Sequence, residues 1–224
     1  CLAFAMKLAA KQVELSACPY VSEASKAQLA ESAAPPIRLV TLKTNGIEVK
    51  AGNEVVLFRH DKTFYNKPGM FIRIYDDMPL DEIKVKVKAA DSYAVNYVGM
   101  DLTIDGFGVA SRAGNPQAFA DAVSAVRSVS ARPLILMSRD PAIMTAGLNV
   151  LSNETPLIYG ADASNLDAFV ELAVKYKAPL GILASDLDTM AELTEKLKAK
   201  GVEDVVLDPG GRDLGSGLAL GTQI

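Results

Sequence analysis

Four short apolar runs recur along the second half of the chain at intervals of about 23 residues: PLILMS (133–138), PLIYG (156–160), PLGILA (179–184) and VEDVVLD (202–208). The apolar residues in these runs do not alternate with polar ones, so the runs predict strands buried on both faces. Stretches with apolar residues at helical spacing follow them, over 141–150, 164–176, 187–200 and from about Asp213. A strand, a helix and two short loops consume a repeat of that size. Upstream the alternation is less regular. EVVLFRH (54–60) reads as the first strand, and a less regular stretch containing FIRIY (71–75) follows. In LDEIKVKVKAADSYAV, Leu80, Ile83, Val87 and Ala90 recur at helical spacing while Ile83, Val85 and Val87 alternate. Pro79 and Asp81-Glu82 suit a helix start, which favours the helix. YVGMDLTI (97–104) then reads as the second strand, with its helix at 116–129.

Such a series builds a parallel sheet, as a doubly wound open sheet or as a closed barrel. The units are uniform, and no fingerprint glycine loop follows the first strand. Gly106-Phe107-Gly108 lacks the third glycine of a dinucleotide loop. The pattern therefore predicts an α/β fold: an incomplete TIM (β/α)8 barrel of about six units, with two more beyond Ile224. Ahead of it, residues 22–36 (SEASKAQLAESAAPP) read as a linker stiffened by Pro35-Pro36. Residues 37–56 read as a hairpin around Asn45-Gly46, a pair suited to a tight turn. The expected division is 1–32 as the remnant of a small cysteine-bearing domain, 33–53 as linker and hairpin, and 54–224 as the barrel domain. A chain that opens on cysteine and stops within a helical pattern reads as a fragment.

Composition removes whole classes of function. Half of the 224 residues are hydrophobic, enough for a substantial core. The net charge of -4 is dispersed, and no apolar run approaches the ~20 residues that span a bilayer. Neither a nucleic-acid nor a membrane surface is implied, and tryptophan, a favoured stacking platform, is absent. With no signal peptide the expected location is cytoplasmic, and the Asn153-Glu154-Thr155 sequon is a chance match.

Cys1 and Cys18 are the only cysteines, and Pro19 follows the second. A [4Fe-4S] cluster takes about four thiolates, commonly with proline after the last. A straight helix from Leu2 to Ala17 would hold these two ~25 Å apart at ~1.5 Å per residue, so one cluster could use both only if the helix breaks. The alternative is two unrelated thiols of a cytosolic protein.

In a strand-helix barrel the chemistry sits at the carboxyl ends of the strands. That rule collects His60, Asp61 and Lys62; Asp101 and Asp105; Ser138, Arg139 and Asp140; Asp162, Ser164 and Asn165; Ser185 and Asp186; and Asp208 with Gly210-Gly211-Arg212. The result is an acidic, hydrogen-bonding rim. Asp140, Ser164 and Asp186 sit where a helix N-cap would explain them equally well. His60 is the only histidine, which leaves no histidine-rich metal site and no Ser-His-Asp arrangement with parts to spare. Asp208-Pro209-Gly210-Gly211 reads either as an anion-binding turn or as a plain one. A metabolic barrel enzyme with a fortuitous cysteine pair would have Lys62 as its only lysine at a strand end.

Together CLAFAMKLAA with Cys18-Pro19, the Pro35-Pro36 linker, FRHDKTFY (58–65) and DPGGRDLGSGL resemble the large (gamma) subunit of the corrinoid/iron-sulfur protein of the acetyl-CoA decarbonylase/synthase complex. The resemblance covers the whole chain. It implies a small domain holding a [4Fe-4S] cluster through C-x2-C-x4-C-x16-C, then a TIM barrel, then a domain for a cobalamin-type corrinoid. Cys1 and Cys18 match the third and fourth ligands, with the first two lying before residue 1. The implied activity is of the methyltransferase class: a methyl group passes from a methyl-tetrahydropterin to cobalt, then to acetyl-CoA synthase, and the cluster reactivates the cobalt. The barrel would pair with the small (delta) subunit and act as scaffold, inactive by itself. Pterin-binding methyltransferase barrels are a second resemblance. They hold the pterin through Asp and Asn at strand ends, for which Asp101, Asp162 and Asn165 are the nearest candidates.

Overall fold

The computed structural model describes residues 4, 7, 13, 17 and 22 singly and then 37–53 and 66–223. Cys1, Cys18, the run 54–60 with His60, and Asp61 and Lys62 lie outside the described residues. The chain divides into two units, 1–37 and 38–224. Every strand and helix with described bounds belongs to the second.

That unit begins with β1 (Val40–Lys43) and β2 (Glu48–Ala51), an antiparallel hairpin around Asn45-Gly46 as the sequence predicts. β3 (Phe71–Tyr75), α1 (Leu80–Asp91), β4 (Val95–Tyr97), β5 (Met100–Leu102), β6 (Gly106–Ala110) and α2 (Pro116–Arg127) follow. The regular repeat then supplies β7 (Leu134–Met137), α3 (Pro141–Val150), β8 (Leu157–Ala161), α4 (Leu166–Tyr176), β9 (Leu180–Leu183), α5 (Leu187–Ala199), β10 (Val205–Asp208) and α6 (Leu214–Gln223). Six parallel strands make one sheet in the order β3-β6-β7-β8-β9-β10. Chain order is kept across the sheet, without the reversal that defines a doubly wound fold.

The two faces of the sheet differ. Ile74, Phe107, Val109, Leu136, Ile158, Leu180 and Ile182 are fully buried with Phe119, Val123 and Phe169 from the helices, which makes this the main core. On the other face a smaller cluster of Val40, Leu42 and Leu157 packs with Phe71, Ile135 and Val206, so the β1–β2 hairpin covers the amino end of the sheet. Thr44 Oγ1 donates to the Ala131 carbonyl (2.8 Å), and Lys43 exchanges backbone hydrogen bonds with Thr155, tying the hairpin down. The helices begin where the sequence provides caps. Asn115 and Asp140 accept from the first-turn N–H groups ahead of Pro116 and Pro141, and Asp186 does so for α5.

The predicted second strand at 97–104 is a correction. Tyr97 and Met100–Leu102 fall in β4 and β5, a separate exposed hairpin, Ile104 packs into the main core outside any strand, and the sheet strand is Gly106–Ala110. FIRIY, read only as part of an irregular stretch, is β3, at one end of the sheet among the described residues. Packing explains the misreading. A Cβ on Gly106 would stand 2.2 Å from the Pro133 carbonyl oxygen and 2.5 Å from the Phe71 ring, so this strand takes glycine where propensity would ask for valine.

Candidate functional site

The carboxyl ends of the six strands form a rim whose polar side chains are tied to one another. At the end of β3, Asp76 is buried, and its Oδ1 accepts from the backbone N–H groups of Arg112 (2.6 Å) and Ala113 (2.8 Å) just beyond β6. Asp76 Oδ2 is also buried and has no hydrogen-bond partner among the described residues. The Arg112 guanidinium lies 3.6 Å from the centre of the Tyr75 ring, within cation–π range, and 3.6 Å from Asp77 Oδ2.

Between β7 and β8 the backbones approach closely. Gly160 has φ +134°, and a Cβ there would lie 2.0 Å from the Ser138 carbonyl oxygen. The β8–β9 register shifts between Tyr159 and Ala161, marking a bulge at the same residue. Asn165 holds this corner: its Nδ2 donates to the carbonyls of Arg139 (2.9 Å) and Gly160 (3.1 Å), and its Oδ1 accepts from Asp162 N–H (2.8 Å). Asp162 Oδ1 accepts from Ser164 N–H and Oγ, and Oδ2 faces Arg139 at 3.8 Å. Burial opposes ionisation of Asp162, but these Ser164 bonds and Arg139 hold its carboxyl below the usual carboxylate value.

A third group joins β8 to β10. The Tyr159 hydroxyl donates to Asp208 Oδ2, and Arg212 grips the same carboxylate through Nη1–Oδ1 and Nη2–Oδ2, both 2.9 Å. The Tyr159 ring crosses Gly181 of the intervening β9, where a Cβ would be 2.9 Å from it. Burial, then the bond to Asp208, pushes the Tyr159 hydroxyl up to about 12. Burial works against the Asp208 charge, yet Arg212, Tyr159 and the Gly210 N–H bring its carboxyl down to about 2. The Gly210 N–H is thus spent on Asp208 (2.9 Å), and Asp213 accepts from Ser216 N–H (2.8 Å) in the first turn of α6. These bonds favour the plain turn over the anion site.

Asp162 and Asn165 come together, as do Ser138, Arg139 and Asp140 beside them. Asp101 and Asp105 do not join them. Asp101 sits on the β4–β5 hairpin, taking a hydrogen bond from Asn96 Nδ2 (2.8 Å). Asp105 is buried at the amino end of β6, where it accepts from Met70 N–H (2.8 Å) and pairs with Lys67 (2.6 Å). Asp76, Asp77 and Arg112 escaped the sequence reading because β3 and β6 were misplaced; the signal was the Asp pair directly after FIRIY. The rim is also less acidic than predicted. Asp77, Asp162 and Asp208 each face an arginine: Arg112, Arg139 and Arg212. Among the described residues no group of three or more His, Cys, Asp or Glu side chains could hold a metal ion.

A parallel sheet in chain order, with a charge-paired rim, defines an α/β protein of consecutive strand-helix units. Within that class, residues 39–223 match the family described as CO dehydrogenase/acetyl-CoA synthase delta subunit, and the chain belongs to it. The chain is 38% identical over 224 residues to the corrinoid/iron-sulfur protein large subunit of Moorella thermoacetica, covering 100% of this chain and 50% of that one. It is 36% identical over 211 residues to the acetyl-CoA decarbonylase/synthase complex subunit gamma of Methanopyrus kandleri, covering 94% of this chain and 45% of the relative. Identity to the acetyl-CoA decarbonylase/synthase complex subunit gamma 1 of Methanosarcina thermophila is 36% over 224 residues, covering 97% of this chain and 48% of the relative. The large-subunit resemblance read from the sequence is therefore borne out, and the chain spans about half the length of the curated relatives it matches.

Proposed function

We propose that the chain is part of a corrinoid/iron-sulfur methyl carrier and that its strand-helix unit is a scaffold within that carrier. The observation that supports the scaffold role is the rim itself. Its carboxylates at 77, 162 and 208 are neutralised by arginines, and Asn165 uses both ends of its amide to hold a loop corner. An acid-base site needs groups free to exchange protons at working pH, and groups held near 2 and near 12 are not.

In this reading the sheet is an arc of a TIM barrel. α6 has no buried residue, and Leu214 and Leu218 are 89% and 59% exposed, as expected beside a neighbour that two further units would supply. Cys1 and Cys18 supply two of the four thiolates of a [4Fe-4S] cluster, whose chemistry is one-electron transfer. The corrinoid, held by a further domain, provides the methyl-accepting cobalt. The carrier takes methyl groups from a methyl-tetrahydropterin, directly or through a methyltransferase. It works beside the small (delta) subunit and acetyl-CoA synthase. The relatives' names and their similarity along the whole chain support this.

The test is metal content of the full-length protein purified with its small subunit. About four irons and one cobalt per pair are expected, with the irons lost in Cys18→Ala. Four irons retained in that variant would refute the ligand assignment.

A pterin-binding barrel, acting as a methyltransferase in its own right, is the second reading. Asp76 favours it, as a buried carboxylate at a strand end with one oxygen unpartnered among the described residues. Of the candidates Asp101, Asp162 and Asn165, the last two share the rim with it. Calorimetry with a methyl-tetrahydropterin on the full-length protein decides; no heat rejects this reading.

A further inference from the structure

Asn45-Gly46 turns the β1–β2 hairpin, and it is the only asparagine-glycine pair in the chain. Both residues are exposed. The side chains of Asn66, Asn96, Asn115, Asn149 and Asn165 are each held by a hydrogen bond to another residue. The Asn45 amide has no such bond among the described residues. Asn53 and Asn153 share that freedom, but a glutamate follows each of them. The following residue matters because asparagine is a thermolabile side chain whose amide is open to attack by the next backbone nitrogen. At Gly46 nothing shields that nitrogen: there is no side chain, and the space a Cβ would take meets no atom within 4 Å.

We propose that Asn45 is a deamidation site and that its modification releases the hairpin from the amino end of the sheet. The Gly46 nitrogen, once its proton is lost to solvent, attacks Asn45 Cγ. The N–Cγ bond forms, the Cγ–Nδ2 bond breaks, and the amide nitrogen takes up a proton from water and leaves as ammonia. A succinimide remains. Water then opens this ring at either carbonyl. Attack at Cγ leaves aspartate at residue 45, and attack at the main-chain carbonyl leaves isoaspartate, in which the backbone runs through the former side chain and gains one carbon. Water is the sole co-reactant, and nothing is oxidised or reduced. The opening required is local. The Gly46 N–H must leave the Thr44 carbonyl (2.8 Å), but the strand pairs of the hairpin, 40–43 with 48–51, lie outside the turn and stay closed.

The consequence falls on Thr44. Its N–H donates to the Ile47 carbonyl (3.0 Å) across the turn, and its Oγ1 donates to the Ala131 carbonyl (2.8 Å). A turn this short has no slack, so an added backbone carbon displaces Thr44 from one partner or the other. Lys43, the next residue back, exchanges backbone hydrogen bonds with Thr155. Beneath the hairpin, Val40 and Leu42 pack against Leu157, Ile135 and Val206, and these are the contacts that a lifted hairpin loosens. The polar rim at the carboxyl ends of the strands takes no part. The modification proceeds whether or not the chain belongs to a methyl carrier.

The experiment is ageing of the full-length protein in mildly alkaline buffer, followed by peptide mapping and enzymatic methylation of isoaspartate. Wild type should convert at residue 45 ahead of Asn53 and Asn153, and faster as pH rises, because the attacking nitrogen must lose its proton. Asn45→Gln should stay unconverted, since its longer side chain closes a larger and slower-forming ring. Aged protein separated by ion exchange should lose about 3 °C in melting temperature, the shift of one lost hydrogen bond in a unit of this size. Its Lys43 and Thr155 amides should also exchange faster. Thr44→Val removes the Ala131 bond without any modification and should reproduce the melting shift. Conversion at Asn53 or Asn153 ahead of Asn45, or at Asn45 only after unfolding in urea, would overturn the site. Modified protein with unchanged exchange at Lys43 and Thr155 would overturn the release of the hairpin.

Discussion

Gly160→Ala isolates the tightest backbone contact of the rim. The alanine Cβ would lie 2.0 Å from the Ser138 carbonyl oxygen and 2.7 Å from its carbonyl carbon. Carbon–oxygen contacts begin near ~3.3 Å, so β7 and β8 would have to part by about 1 Å at a point where Ser138 N–H donates to the Tyr159 carbonyl (3.1 Å). The φ of +134° adds a backbone penalty of ~1–3 kcal/mol, and displacing packed backbone adds a similar amount, for a total of about 3–5 kcal/mol. Gly114→Ala is the control. Its φ of +65° is also left-handed, but a Cβ there meets nothing within 4 Å, so the cost should be about 1 kcal/mol. Urea unfolding of the two full-length variants, followed by circular dichroism, measures the difference. Hydrogen exchange at Asp162 N–H should accelerate only in Gly160→Ala, because Asn165 holds that amide through a side chain bonded to the Gly160 carbonyl. Equal destabilisation of the two variants would refute the close-approach argument and leave only the dihedral.

The Tyr159–Asp208–Arg212 group makes stability depend on pH at both extremes. Asp208 falls from 3.8 to about 2 on folding, so its contribution is complete above pH 3.8 and disappears as pH drops through 2. Tyr159 rises from 10.0 to about 12, so its contribution is complete below pH 10 and is lost as pH rises through 12. Asp208→Asn should flatten the acid limb and Tyr159→Phe the alkaline limb of a melting-temperature profile, each by about 1 kcal/mol, since Arg212 is mostly in solvent. At the amino end of the sheet, Arg127 and Glu154 form a largely buried pair (2.6 Å), and burial holds the Glu154 carboxyl above its usual value. Glu154→Ala should cost about 3 kcal/mol in urea unfolding, more than the paired change Arg127→Met with Glu154→Leu, because it strands a buried cation. Phe119→Ala, at a fully buried site between α2 and the sheet, should cost about 3–5 kcal/mol by the same assay.

From Pro133 onward the fold was legible because pattern and packing agree there. Leu134, Leu136, Ile158, Leu180 and Ile182 are apolar in sequence and fully buried in the sheet. Between Phe71 and Ala110 they part company. Gly106 and Gly108 lie on the face away from the helices, and a strand with two glycines scores poorly on propensity although Phe107 and Val109 anchor it in the core. The better-looking strand, YVGMDLTI, owes only Ile104 to the core, since its Tyr97, Met100 and Leu102 all face solvent. Apolar periodicity reports that a side chain is covered by something, and a single sequence does not say by what.

The same ambiguity runs through the rim. Asp140 and Asp186 were readable as caps because a cap depends on neighbours two or three residues away, and both accept first-turn N–H groups as expected. Asp162 and Asp208 were readable as strand-end carboxylates, whereas their arginine pairing was not. Arg139 reaches Asp162 across two strands, and Tyr159 reaches Asp208 over Gly181, contacts that exist only once the sheet is assembled. Residue type therefore located the rim, and partnership decides its chemistry. A carboxylate held near 2 by a bidentate guanidinium contributes a fixed charge pair to the structure. If catalysis were to occur at this rim, it would have to use Asp76, the one described rim carboxylate with a buried oxygen left over. Pterin titration of Asp76→Asn against wild type therefore separates a strand-helix unit that binds a pterin from one that only holds its neighbours in place.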